Sequence, residues 1–103
     1  MEPTFGSIHP SETKRRLMQG EKLNMIDVRE PEEVAAGMIP GAKHIPLGEL
    51  LFRHSEIPQT GEIIMICRSG GRAGRACEYL TAQGYQGLKN MTGGMLEWEK
   101  TVE

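Results

Sequence analysis

Five consecutive apolar residues, Ile63, Ile64, Met65, Ile66 and Cys67, stop abruptly at Arg68-Ser69-Gly70-Gly71-Arg72. The run shows no alternation, so as a strand it must be covered on both faces, as an interior strand of a parallel sheet is. Beyond the glycines, Ala73, Ala76, Cys77 and Leu80 recur at helical spacing, and Gly84 is placed to stop the helix. Strand, glycine-bearing loop and helix in that order point to an α/β architecture. Such folds bind ligands at the carboxyl edge of the sheet.

The remaining chain repeats the alternation. Phe5 to Ile8 reads as a short edge strand, followed by a helix that Pro10 opens and Gly20 stops. Leu23 to Val28 reads as a strand, and Pro31-Glu32-Glu33 as a second helix start whose acids complement the dipole. Gly37, Pro40 and Gly41 break the chain before a short strand at Lys43 to Ile45 and a short helix at Leu47 to Phe52. Gly61 turns into the strand Glu62 to Cys67, whose helix runs to about Gln83. A strand around Gly87 to Met91 and a last helix around Met95 to Lys100 follow. The expectation is one α/β domain over residues 1–103 with a mostly parallel sheet.

Composition narrows the function classes. Twelve basic against 14 acidic residues, a net charge of -2, leave no basic footprint for nucleic acid. The longest apolar run is far too short to span a membrane. Neither partner is expected. Two cysteines are too few for a disulfide framework, and the first residues carry no basic-then-apolar signal pattern. A cytoplasmic location with free thiols is therefore expected. His9, His44 and His54 share no zinc-site spacing, so no metal is expected. Glycine is in excess, 13 of 103, which calls for tight turns or close backbone approach.

The loop after Cys67 concentrates that excess. Gly70 and Gly71 let the backbone curl so that successive N–H groups point inward as an anion-binding nest. The following helix adds its positive end, and Arg68 and Arg72 add full charges. All of this favours thiolate over thiol at Cys67, a nucleophile suited to an anionic substrate. Ser69 to Gly74 also has a nucleotide-loop flavour, but it lacks the Lys-Ser/Thr pair of a phosphate-binding loop.

At these residues the chain resembles the rhodanese-like family of sulfurtransferases. Cys67-Arg68-Ser69-Gly70-Gly71-Arg72 matches that family's Cys-Arg-x-Gly-x-Arg loop throughout. Asp27 to Glu33, Gly37 to Ala42 with Ile45-Pro46, and Gly93-Gly94 with Trp98 resemble its other signatures, in the right order. Two positions depart from the pattern. Met38 stands where His is frequent, and Ala73 stands where a Ser commonly follows the second Arg. Phosphatases and arsenate reductases of similar fold use a longer Cys-x-x-x-x-x-Arg loop, whereas four residues separate Cys67 from Arg72 here.

The resemblance implies a rhodanese-like three-layer fold, a five-stranded sheet flanked by helices, and sulfur transfer through a persulfide on Cys67. Arg68, Ser69, Gly70, Gly71, Arg72 and Ala73 would bind the substrate, with Asp27 and Arg29 as an ion pair bracing the loop. Arg72 has a second reading, tying the loop down through a carboxylate. A small anionic sulfur donor and a thiol or sulfur-accepting protein are the expected partners, with no cofactor. A non-turnover carrier or regulatory module is the alternative role, ahead of a phosphatase-like enzyme. Cys77 reads as core rather than as a resolving thiol. Arg75, one helical turn beyond Arg72, reads either as part of a positive rim or as a solvated charge. Trp98 reads as a pocket wall or, more commonly, an anchor for the last helix.

Overall fold

A computed structural model describes residues 4–101. Its strands are β1 (Gly6–Ile8), β2 (Met25–Asp27), β3 (Lys43–His44), β4 (Ile63–Ile66) and β5 (Leu88–Met91). They form one sheet in the order β1-β5-β4-β2-β3, with every pairing parallel. The helices are α1 (Pro10–Met18), α2 (Pro31–Ala35), α3 (Leu50–Arg53), α4 (Gly71–Ala82) and α5 (Gly94–Trp98).

The apolar run lies at the centre of the sheet as β4, between β5 and β2. Its side chains divide strictly by parity. Ile63, Met65 and Cys67 pack with Ala73, Ala76, Cys77 and Leu80 of α4 and with Leu50 of α3. Ile64 and Ile66 pack on the other face with Ile8, Met91 and Met95, alongside Leu17 of α1 and Trp98. Both cores are apolar and each needs half of the run, which is why no polar residue interrupts it.

Several boundaries differ from the sequence reading. Cys67 and Glu62 lie just outside β4, and β2 omits Leu23, Asn24 and Val28. Backbone bonds nevertheless continue past the ladder, from Val28 N–H to the Ile66 carbonyl at 2.8 Å. The expected helix at Leu47 to Phe52 is longer and irregular, with 3-10 turns at Leu47–Glu49 and His54–Glu56 flanking α3. Gly87 precedes β5 at φ +76°, an angle that does not suit a strand. The last helix begins at Gly94 and continues past Trp98 as a 3-10 turn through Thr101. α1 is capped by His9, whose Nδ1 accepts from the Ser11 N–H at 3.1 Å. Among the described residues no helix is long and apolar enough to cross a membrane.

Candidate active site

β4 delivers Cys67 to the carboxyl edge of the sheet, and the chain curls at once into α4. The curl depends on Gly70, held at φ +107° where a side chain is strained. Gly71 has no such need. Its φ is not positive and a Cβ there would meet open space, so only one of the two glycines shapes the turn.

The turn aims two backbone donors at one sulfur. Gly70 N–H donates to Cys67 Sγ at 3.0 Å, and Ala73 N–H donates to it at 3.2 Å. These are donors of the kind that hold a developing anion, preorganised by backbone and therefore costing no rearrangement. Ser69 and Arg68 are exposed at the mouth, whereas Cys67 is fully buried at the base. The Ala73 methyl turns into the core beside Cys67 instead of facing a ligand, so the missing hydroxyl is a packing change.

Three supports of this cradle were not evident from sequence. Asn90 of β5 donates through Nδ2 to the Gly70 carbonyl at 3.0 Å, and Gly74 N–H donates to the same oxygen at 3.0 Å. Glu33 of α2 holds Arg72 fork to fork, its oxygens 2.7 and 2.8 Å from the two terminal nitrogens. The first helical N–H groups of α5 close the far side: Met95 donates to the Cys67 carbonyl at 2.8 Å and Leu96 to the Arg68 carbonyl at 3.0 Å. That approach requires Gly94 at φ +58°, because a Cβ there would lie 2.4 Å from the Cys67 carbonyl oxygen. Glu33 had half a signal. Glu at the third position of a helix opening with Pro fits a capping box, and its Oε1 accepts from the Glu30 N–H at 2.8 Å.

Asp27 and Arg29 form a buried ion pair with bonds of 2.8 to 3.1 Å. Arg29 also donates to the Gly37 carbonyl at 2.8 Å and to the Glu33 carbonyl at 3.5 Å, so the pair secures the chain around α2, and Glu33 links it to Arg72. His44 Nε2–H donates to the Arg29 carbonyl at 2.7 Å. Arg72 is committed to Glu33, the tying role among its two readings. Its guanidinium is held charged chiefly by the Glu33 carboxylate, with a smaller contribution from the Cys67 sulfur. Glu33 in turn is lowered to about 2, mainly by Arg72 and then by the Glu30 N–H. Cys77 is buried in the α4 core, where desolvation raises its thiol to about 12. Trp98 is partly buried beside Leu17, with Lys14 Nζ 5.6 Å from the ring centroid, and so anchors the last helix.

The chain is similar in sequence and fold to known proteins. Residues 9–101 match the family model described as the Rhodanese-like domain. A sulfurtransferase of Allochromatium vinosum is 41% identical over 86 residues, covering 84% of this chain and 80% of the relative. A putative sulfurtransferase of Bacillus subtilis, YtwF, is 44% identical over 86 residues, covering 84% and 82%. A rhodanese-like domain protein from Staphylococcus aureus superposes with a TM-score of 0.85 at 33% identity, covering 90% of each chain. These relatives support a sulfurtransferase or sulfur-carrier role. With the all-parallel sheet, the cysteine cradle and these matches together, the chain belongs to the rhodanese-like family.

Proposed function

We propose that the chain transfers a sulfane sulfur from a small anionic donor, thiosulfate or a related compound, to a thiol acceptor by way of a persulfide on Cys67. The observation that carries this reading is the pair of backbone N–H groups converging on Cys67 Sγ. In the first step the Cys67 thiolate attacks the outer sulfur of thiosulfate. A bond forms between the two sulfurs, the S–S bond of thiosulfate breaks, and sulfite leaves with its electron pair. The persulfide anion then sits among the same N–H donors. In the second step an acceptor thiolate, or cyanide in an assay, takes the outer sulfur and returns the electron pair to Cys67.

Arg68, exposed beside the nucleophile, suits the incoming dianion. Arg72 serves indirectly, by holding the loop against Glu33. The short loop favours a sulfur atom over a tetrahedral oxyanion as its cargo. We place this chemistry in a reducing cytoplasm, where a free thiol persists.

The test is intact-mass measurement after incubation with thiosulfate, wild type beside Cys67→Ala. A gain of one sulfur atom on wild type alone supports the reading. No adduct with any sulfane donor, together with hydrolysis of an aryl phosphate, would overturn it.

A further inference from the structure

Of the chain's seven arginines, Arg15, Arg16, Arg29, Arg53 and Arg72 each hold a carboxylate. Among the described residues only Arg68 and Arg75 make no such pair, and both are exposed. Their positions are not scattered. Arg68 follows the nucleophile directly. Arg75 lies on α4, whose Ala73 N–H touches Cys67 Sγ, and it faces Leu47 and Leu50, which belong to the core around Cys67. One free cation at the mouth accounts for a small anionic donor, which leaves Arg75 without a role.

Arg75 borders a cleft of about 390 Å³ between α3 and α4, otherwise lined by Leu47, Gly48, Leu50, Leu51 and Tyr79. The floor is apolar and Leu51 remains 65% exposed. Thiosulfate has no apolar part and gains nothing from such a wall. An acceptor does, if it carries an apolar group beside its thiol. The volume is at the small-molecule end of the range for ligand sites, and a guanidinium fork is matched to a carboxylate.

Resting on the persulfide reading above, we propose that this cleft receives the sulfur acceptor, and that the acceptor is a small peptide-type thiol bearing an apolar side chain and a carboxylate that pairs with Arg75. Its thiolate attacks the outer sulfur of the Cys67 persulfide. The persulfide S–S bond breaks, its electron pair returns to Cys67 Sγ under the Gly70 and Ala73 N–H groups, and the acceptor leaves as a persulfide. No external oxidant or reductant is consumed. Arg75 orients the acceptor and takes no part in bond making.

The experiment uses protein preloaded with thiosulfate, freed of donor and confirmed by mass to carry one extra sulfur. Three probes of matched thiol are compared: N-acetyl-cysteinyl-leucine, its C-terminal amide, and N-acetyl-cysteinyl-serine. Loss of the added sulfur is followed in single turnover. The leucine acid is expected to outpace its amide by roughly fivefold, the worth of one partly exposed charged pair. Arg75→Gln should bring the two within about twofold and Arg75→Glu should reverse their order. High salt should narrow the preference. The leucine acid should also outpace the serine acid, and Leu51→Ser should reduce that margin. Equal rates for acid and amide in wild type, or a preference that survives both Arg75 variants, would overturn the proposal. Failure to load sulfur at all would instead overturn the sulfurtransferase reading, and the mass step separates the two.

Discussion

Arg72 and Glu33, 39 residues apart in the chain, meet fork to fork, and the same Glu33 carboxylate caps the first turn of α2. One side chain therefore joins the cradle helix α4 to α2. Its folded-state pKa of about 2 lies below the ordinary 4.5 because Arg72, and secondarily the Glu30 N–H, favour the charged form. A depressed acid contributes stability that is fully present above about pH 4.5 and is lost as the pH falls through about 2. Glu33→Gln should lower the unfolding free energy by about 1–2 kcal/mol at pH 7, a value discounted for partial exposure. The difference from wild type should shrink toward zero at the acid end. Urea denaturation across pH 2 to 7 reads both, and a difference independent of pH would refute the assignment.

The Asp27–Arg29 pair is of another kind, with the Asp27 side chain wholly buried and Arg29 nearly so. Removing the cation strands a carboxylate in the interior. Arg29→Met should cost about 3–5 kcal/mol, and Asp27→Asn less, because the Arg29 guanidinium left behind keeps the Gly37 carbonyl and an amide oxygen as acceptors. Chemical denaturation of both variants tests that ordering.

Gly94 and Gly71 should respond in opposite ways. Gly94→Ala places a methyl against the Cys67 and Arg68 carbonyls at a positive φ, and so pries α5 from the loop. A loss of about 2–3 kcal/mol is expected, with slower sulfur loading. Gly71→Ala meets open space at an ordinary φ and should be neutral or stabilising by up to about 1 kcal/mol. Thermal melts and loading by mass distinguish the pair.

Cys77 should behave as core. With its thiol raised to about 12 by burial, it stays protonated at pH 8. In a Cys67→Ala background, iodoacetamide should add nothing to the native protein and one group once it is denatured. Labelling of the native variant at the rate of an exposed thiol would count against the buried placement.

Asn90 separates activity from stability. Its Nδ2 holds the Gly70 carbonyl, but its Oδ1 is buried without a partner. Asn90→Ala removes a bond and an unsatisfied acceptor together, so stability should change by less than about 1 kcal/mol. Sulfur loading should fall severalfold as the Gly70 peptide loosens. Equal loading rates in the two proteins would show that Gly74 N–H alone fixes the turn.

The amino-acid sequence by itself determined whatever depends on neighbours along the chain. The unbroken apolar run required an interior strand, the spacing of Ala73, Ala76, Cys77 and Leu80 required a helix against it, and Gly70 required a turn that bares backbone donors to Cys67. Those outcomes follow from periodicity and φ/ψ, which act over a few residues. Only the tertiary structure decided which of the 14 acids would hold Arg72, that Asn90 would reach the Gly70 carbonyl from β5, and that α5 would seat its N–H groups on Cys67 and Arg68. It also decided that Arg68 and Arg75 would be left without carboxylates among the described residues. The physical reason is range. A charge or amide has many chemically equivalent partners in the sequence, and the strand order β1-β5-β4-β2-β3 selects the one that comes within bonding distance.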